Sequence, residues 1–304
     1  MKYTCDQGLF PAIGYICTNG IITKIQSMSV NQNYTTSIMG LKMTLLFMFL
    51  LGVMSSCTSE AEEHSTTIRV MTYNIHHANP PSQPDSIDIE AITRVIRNEN
   101  PDLVALQEVD VFTQRSGTEL HQAREIARRL DMHCYFGKAL DYQGGYYGNA
   151  VLSRYPILDS TVFELPPMEG VEAEVRNWTG IKISIEGNEM WFGSTHLDFQ
   201  RGENNLDQSR RLVQHLEKIE LPIIIGGDFN RTPDSETMAF FSDHFQLTCS
   251  DCPPTIPVTD PNRTIDHLIY RPKERFTVAE HRVVDEQYAS DHLPVIAVLE
   301  WQKK

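Results

Sequence analysis

Polar side chains that could do chemistry follow several apolar, strand-like runs of this sequence. The clearest run is IIIGGDFN, which begins at Ile223 and ends in an aspartate and an asparagine. Five runs deliver such residues at their carboxyl ends: Asn74, Glu108, His196, Asp228 with Asn230, and Asp291 with His292. Carboxylates, amides and imidazoles gathered at strand ends are what a metal-assisted phosphoryl-transfer site needs. We therefore predict that the five runs converge on one such site.

The predicted metal ligands carry oxygen, because Mg²⁺ prefers hard oxygen ligands and keeps several of its waters. Glu108 is the main candidate, since LVALQE leaves a carboxylate where an apolar run stops. Asn74 would support the metal or its waters, and Asp291 is a candidate for an additional ligand. Mn²⁺ is an alternative to Mg²⁺. The competing interpretation of Glu108 is a solvated charge that follows a strand.

Hydrolysis of a phosphoester also requires an activated water and stabilisation of the charge on the phosphoryl oxygens. Asp228 is predicted to be the base that activates or orients this water, and Asn230 to position the water or the phosphate. The two glycines before Asp228 suit a close approach of the backbone. A simple Asp–Asn turn at the end of a strand would explain this run, but not the other four.

Four further residues are candidates for binding the substrate. Asn149 in YYGNAVLSR could donate to a phosphate oxygen without competing for the metal. His76 follows Asn74 by two residues and would face the same side of a strand, whereas His77 would face away and be structural. Arg115 and Arg176 could bind a phosphate or a headgroup through the planar guanidinium fork. Each arginine could instead be a surface residue or support the site indirectly.

The elements that must position these residues alternate between strand-like and helix-like segments from Thr67 onward. IRVMTYNI (68–75) alternates as a strand does, and residues 86–98 place their isoleucines on one side of a helix capped by Asp85 or Ser86. Residues 119–131, 204–218 and 235–245 are further predicted helices, with strands between them. No linker divides 67–304, which predicts one domain of two packed sheets flanked by helices.

Seven blocks of the sequence, in this order, resemble the endonuclease/exonuclease/phosphatase (DNase I-like) superfamily. They are TYNIHH, LVALQEVD, GNAVLSRYPI, STHLD, GGDFN, TIDHLIY and SDHLPV, and they extend over the whole of 67–304. The resemblance implies a four-layer α/β/β/α sandwich of two mixed sheets and a Mg²⁺-dependent hydrolase of phosphoester bonds. Within the superfamily, TYNIHH with GGYYGNAVLSR is most similar to a bacterial branch described as metal-dependent hydrolases.

The resemblance also assigns roles to two histidines and to one more aspartate. It implies that His292 hydrogen-bonds a phosphate oxygen and that Asp266, in the TIDHLIY block, orients it. A carboxylate on one ring nitrogen fixes the tautomer and favours the imidazolium. It implies that His196 stabilises the phosphate or protonates the leaving oxygen. The alternative is that both are structural histidines whose ring nitrogens are hydrogen-bonded inside the protein. It does not explain why both lie within these blocks.

The segment before residue 67 predicts export. Residues 43–56 form a short apolar run between Lys42 and Cys57, too short to span a membrane comfortably. A basic residue, an apolar core and small residues before a cysteine resemble a bacterial lipoprotein signal, with Cys57 lipidated. We therefore expect a leader at 1–57, with translation from Met39 or Met43, and a solvated tether at 58–66. An ordinary cleaved signal peptide is the alternative.

Charge bears on the substrate. The formal net charge of −14 is unfavourable for a polyanion, because nucleic acids are held largely by Lys and Arg. We therefore expect a lipid headgroup or small phosphorylated compound at the cell envelope, with the membrane as partner through Cys57. The alternatives are a secreted DNase- or RNase-type nuclease and a silent binding protein.

No heptad pattern predicts assembly, so a monomer is expected. Cys249 and Cys252 could form a local disulfide.

Overall fold

Two six-stranded sheets form the centre of residues 65–302, the part of the chain that this computed structural model describes. The first sheet has the order β11-β12-β1-β2-β4-β3. Its strands are β1 (Ser65–Asn74), β2 (Leu103–Val111), β3 (His133–Tyr142), β4 (Gly145–Ser153), β11 (Phe276–Val283) and β12 (Val295–Gln302). β1 and β2 are parallel, and the other neighbours in this sheet are antiparallel.

The second sheet has the order β5-β6-β7-β8-β10-β9. Its strands are β5 (Asp159–Leu165), β6 (Arg176–Ile185), β7 (Asn188–His196), β8 (Ile223–Asp228), β9 (Gln246–Leu247) and β10 (Asp266–Arg271). β7 and β8 are its parallel pair. Each sheet therefore has one parallel pair in which two adjacent strands end at the same edge, which is where the predicted site residues lie.

Four helices cover the outer faces of the sheets. They are α1 (Ile89–Glu99), α2 (Gln122–Leu130), α3 (Gly202–Leu216) and α4 (Glu236–His244). Apolar residues of α1 and α2 pack on the first sheet, and those of α3 and α4 pack on the second. A third cluster, with Val70 and Ala105 from one sheet and Phe192 and Ile224 from the other, fills the space between the sheets. The predicted α/β/β/α sandwich is confirmed.

A polar bridge joins the two sheets inside this apolar layer. Gln107 on β2 donates through Nε2 to Ser194 Oγ on β7 at 2.9 Å and to Thr72 Oγ1 on β1 at 3.2 Å. Ser194 in turn donates to the carbonyl of Leu106 at 2.9 Å. All of these groups are buried, and buried polar groups need such partners. The bridge fixes the two parallel pairs against each other close to their carboxyl ends.

Several predicted boundaries were wrong by a few residues. The first helix begins at Ile89, because Asp88 rather than Asp85 or Ser86 caps it and accepts from the amide of Ala91 at 2.9 Å. β1 begins at Ser65, so the last two residues of the predicted tether belong to the sheet. The strand predicted from NAVLSRYPI ends at Ser153.

Cys249 and Cys252 form a disulfide.

The predicted leader, with Cys57 and its lipidation, lies outside the described residues. Within residues 65–302 no helix is long and apolar enough to cross a membrane.

Candidate active site

Three site residues meet through one amide. The Nδ2 of Asn74, at the end of β1, donates to Glu108 Oε1 and to Asp228 Oδ2, both at 3.1 Å. Its Oδ1 accepts from the amide of His76 at 3.0 Å, which sets the orientation of the group. Asn74 therefore holds two carboxylates from different sheets in place. Its Oδ1 is engaged elsewhere, so its role as a direct metal ligand stays a prediction.

Glu108 reaches this position because of a β-bulge. The pairing of β2 with β4 shifts between Leu106 and Val109, and Glu108 has a φ of 58°. An extra residue in one strand re-aims a side chain, and bulges are common next to active sites. The carboxylate is thereby turned towards Asn74 and is partly exposed to the cavity.

Asp228 is the centre of the site and is 2% exposed. Its Oδ1 accepts from the amide of Asn230 at 2.9 Å, and its Oδ2 lies 3.5 Å from His196 Nε2 and 3.8 Å from His292 Nε2. Burial, and then the charge of Asp266, raise the pKa of Asp228 to about 7. A pKa near neutrality suits a general base.

His292 is held by Asp266 and is predicted to be charged. Its Nδ1 lies 2.9 Å from Asp266 Oδ2, which also accepts from Thr255 Oγ1 at 2.6 Å. Burial lowers the pKa of His292, but the charge and hydrogen bond of Asp266, with the charge of Asp228, outweigh it and raise the pKa to about 10. The orienting contact implied for Asp266 is present.

His196 differs from His292 because a cation lies beside it. Arg176 Nη1 is 3.4 Å from His196 Nδ1; since a guanidinium only donates, Nδ1 accepts and Nε2 carries the proton. Burial, then the charges of Arg176 and His292, lower the pKa of His196 well below its ordinary value. His196 is therefore a neutral donor that points towards Asp228. Protonating a leaving oxygen is not a role that this state favours.

A cavity of about 450 Å³ opens over these groups. Several of its lining residues were not singled out from the sequence: Glu174, Phe199, Arg231, Arg263 and Ile265. Arg231 directly follows the predicted Asn230, a signal that could have identified it. The others come from loops, where no apolar pattern marks them. Arg176, which was predicted, lines the cavity and lies 3.2 Å from Glu174.

Two predicted substrate-binding residues need correction. Asn149 donates through Nδ2 to the carbonyl and Oδ1 of Asn177, at 3.0 and 2.8 Å, so its amide links the two sheets. Arg115 uses Nε and Nη2 on the buried carboxylate of Asp110, at 2.7 and 3.0 Å. The guanidinium also lies over the ring of Tyr142. Both groups are taken by internal partners, which the sequence did not reveal.

Asp291 and His76 lie together beside the centre of the site. Asp291 Oδ1 is 4.0 Å from His76 Nδ1, and the side chain of Asp291 is 41% exposed. The role of Asp291 as an additional metal ligand stays a prediction.

The prediction that His76 continues a strand was wrong. β1 ends at Asn74, and His76, His77 and Ala78 follow with φ values of 45°, 44° and 57°. Each non-glycine residue in this left-handed region costs about 1–2 kcal/mol. Such local strain persists only where the surroundings enforce it, and it is concentrated at functional sites. His77 consequently does not face away from His76, because their ring centroids are 4.5 Å apart.

The residues at the centre fit a divalent cation. Glu108 supplies a partly exposed carboxylate that accepts from Asn74, and Asn74 links it to the carboxylate of Asp228. Burial, and then the charge of Asp266, raise the pKa of Asp228. Hard oxygen donors with room for water are what Mg²⁺ or Mn²⁺ require.

The two-sheet sandwich and the site at its strand ends are those of the DNase I-like hydrolases. The chain belongs to the endonuclease/exonuclease/phosphatase family, whose sequence profile matches residues 71–292. A comparison with curated proteins finds no match.

Solved structures share the fold. A family member from Beutenbergia cavernae is 26% identical, with a TM-score of 0.67 over 77% of this chain and 72% of that one. A mannosyl-6-phosphatase from Bacteroides thetaiotaomicron is 21% identical, with a TM-score of 0.62 over 76% and 99% of the two chains. The human nocturnin catalytic domain is also 21% identical, with a TM-score of 0.62 over 78% and 97%.

Proposed function

We propose that this protein is a divalent-metal-dependent hydrolase of phosphoester bonds, acting on a lipid headgroup or a small phosphorylated compound at the cell envelope. The observation that carries the proposal is the arrangement around Asp228. A buried carboxylate with a pKa of about 7 lies within 3.8 Å of a charged His292 and within 3.5 Å of a neutral His196. A base and two donors at one point are what attack on a phosphoryl group requires.

The residues divide the work as follows. Asp228 accepts the proton of the attacking water, and Asn74 and the amide of Asn230 hold its carboxylate in place. His292, kept protonated by Asp266, donates to a phosphoryl oxygen as negative charge develops there. His196 donates from Nε2 to the same region. Arg176 supplies a fixed positive charge behind His196.

The metal would be held by Glu108, with Asn74 supporting it. When bound, a divalent cation polarises a phosphoryl oxygen and balances the charge that accumulates during displacement.

The cavity supports a small substrate. A volume of about 450 Å³ falls in the range of small-molecule sites. Arg176, Arg231 and Arg263 line it and can contact an anionic group, beside the acidic residues Glu108, Glu174 and Asp228. Phe199, at 54% exposure, offers an apolar contact at the cavity. These features favour a compact anionic group with an apolar or sugar portion over a long polyanion. The structural neighbour that acts as a mannosyl-6-phosphatase is consistent with such a substrate.

The proposed location rests on the sequence alone. The run at 43–56 followed by Cys57 resembles a lipoprotein signal. Residues 58–64 would then connect an envelope anchor to β1.

The test measures turnover of several phosphoesters by the full-length protein. Phospholipid micelles, sugar phosphates and plasmid DNA are offered with Mg²⁺, with Mn²⁺ and with EDTA. We expect metal-dependent release from a lipid or a small phosphate and none from DNA. Asp228→Asn should lower kcat by about 10²–10⁴-fold, the usual contribution of a general base. Asp243→Asn, an exposed aspartate on α4, is the matched control.

Two outcomes would contradict the proposal. Nicking of DNA that disappears in Asp228→Asn would make the protein a nuclease and refute the substrate class. Turnover by Asp228→Asn at the wild-type rate would refute the assignment of the base.

A further inference from the structure

A second group of possible metal ligands lies beside the centre described above. His76, His77 and Glu108 each offer one ligand atom, and these three atoms lie within 4.8 Å of one another. All three side chains are partly exposed, so an ion from solvent can reach them. The proposed hydrolysis uses neither histidine. Glu108 belongs to both places, because its Oε1 also accepts from Asn74.

His76 is prepared as a ligand by its hydrogen bond. Its Nδ1 lies 2.9 Å from the carbonyl oxygen of Asn79, and a carbonyl only accepts, so Nδ1 carries the proton. Nε2 then keeps its lone pair. Metal-binding histidines almost always have their other nitrogen fixed in this way. Asn79 is itself fixed, since its Nδ2 donates to the carbonyl of Ser86 at 2.7 Å.

His77 has a nitrogen that lacks a partner. Its Nδ1 is buried and accepts or donates no hydrogen bond within residues 65–302. Its backbone carbonyl accepts from Gln122 Nε2 at 2.5 Å, which anchors the turn to α2. The nearby guanidinium of Arg115 is held by the buried carboxylate of Asp110, which it contacts through two nitrogens.

The backbone is distorted at all three ligands. His76 and His77 have left-handed φ values of 45° and 44°, and Glu108 has 58° at the bulge of β2. Together the turn and the bulge aim three side chains at one point, from the ends of two adjacent strands. Side chains that merely packed would not need these conformations, and sites that bind ligands are where they persist.

We propose that His76, His77 and Glu108 bind a second divalent cation next to the first, with Glu108 shared between the two. Two imidazoles and one carboxylate suit Zn²⁺, Mn²⁺ or Fe²⁺ better than Mg²⁺, which favours oxygen ligands. The site rests on the ligand geometry, so it does not depend on the proposed hydrolysis.

The test counts bound ions in the full-length protein after removal of metal with a chelator. Zn²⁺ and Mn²⁺ are titrated separately by calorimetry, and the bound metal is measured after dialysis. The wild type should bind one ion more than the double variant in which both histidines are replaced, His76→Gln/His77→Gln. Each single replacement should weaken that ion at least about ten-fold. The matched control replaces two exposed or half-exposed histidines elsewhere, His133→Gln and His244→Gln, and should bind as the wild type does.

An equal number of ions, bound equally tightly, in the wild type and the double variant would overturn the proposal. If the double variant does not fold, Cu²⁺ electron paramagnetic resonance on His292→Asn decides instead. That variant removes one of the two imidazoles near Asp228. Coupling of one Cu²⁺ ion to two imidazole nitrogens supports the site, and its absence refutes it. Failure of turnover in either experiment bears only on the proposed function.

Discussion

Asp266 accepts from Thr255 and contacts His292 at Nδ1, whereas Nε2 is the ring nitrogen that lies near Asp228. Asp266 is the largest cause that raises the pKa of His292, to about 10. Without its charge, burial would dominate and the imidazolium would lose its proton at a lower pH. The charged state of His292 therefore depends on Asp266.

Replacing Asp266 should change the pH dependence of turnover as well as its rate. In Asp266→Asn the pKa of His292 falls, so kcat/KM should decline at a lower pH on the alkaline side than in the wild type. Thr255→Val keeps the carboxylate and removes only one hydrogen bond to it, and it should keep the wild-type profile. The measurement is kcat/KM as a function of pH between pH 5 and 10. An alkaline limb that is the same in Asp266→Asn as in the wild type would contradict the role of Asp266 in keeping His292 protonated.

Among individual residues, the sequence predicts site residues that follow apolar strands. It does not predict which polar side chains are taken by partners far away in the sequence. Glu108 and Asp228 follow buried apolar residues of β2 and β8. The prediction that an apolar run ends at Asp291 and His292 was wrong, because both residues precede β12. The structure nevertheless brings Glu108, Asp228 and His292 to one cavity. Asn149 is also in a motif, but its amide is taken by Asn177, which is 28 positions away. No local pattern encodes that contact. Arg263, from a loop, carries no periodic signal at all.

At the scale of elements, the parallel pairs β1–β2 and β7–β8 determine where the chemistry lies. β2 and β8 are almost fully buried and read as continuous apolar runs, as buried parallel strands do. β1 was predicted instead from its alternation, since its first residues are partly exposed. β5 and β11 are edge strands with half-exposed faces, and together with β3 and β6 they were not assigned, because their polar residues weaken the alternation.

Gly137 on β3 marks the closest approach of the two sheets. A Cβ at this position would lie 1.9 Å from Thr179 Oγ1 on β6, so a methyl group has no room. Gly137→Ala should lower the free energy of unfolding by about 1–3 kcal/mol, the usual cost of overpacking. It should also displace Asn177, which donates to the carbonyl of Gly137 at 3.0 Å.

Urea unfolding followed by fluorescence measures this cost. Gly202→Ala is the control, because the added carbon would meet its nearest atom, on Arg231, at an ordinary 3.8 Å. Equal midpoints for Gly137→Ala and the wild type would show that the sheets separate easily at this point.

For the molecule as a whole, buried neutral histidines determine the response to acid. Burial is the largest cause that lowers the pKa values of His77, His121 and His281 to about 4. Burial also lowers the pKa of His196 well below its ordinary value. In the unfolded chain these groups titrate near 6.5. Between pH 6.5 and 4 the unfolded state therefore binds more protons than the folded state. Asp228 opposes this with one proton, since its pKa is raised to about 7.

Stability should consequently fall as the pH is lowered from 6.5 towards 4, by up to about 1.4 kcal/mol per pH unit for each net proton. Urea unfolding in EDTA at pH 7, 6 and 5 measures the slope. His121→Asn keeps a capping acceptor for α2 and removes one titrating group, so its slope should be shallower. A stability that is constant or rises over this range would contradict the expectation.

The first strand separates the point where the folded part begins from the point where chemistry occurs. Ser65 pairs with Gln302 at one end of β1, and Asn74 lies at the other. Nine residue steps of extended chain span roughly 30 Å. If Cys57 is anchored, the seven residues from 58 to 64 reach at most roughly 25 Å, and they attach to the end remote from the cavity. The cavity would then open away from the membrane to which Cys57 is attached. Anchored protein should hydrolyse soluble phosphoesters, or headgroups on added vesicles, faster than headgroups in the bilayer that carries it, and a fluorescent headgroup placed in each membrane in turn would distinguish the two.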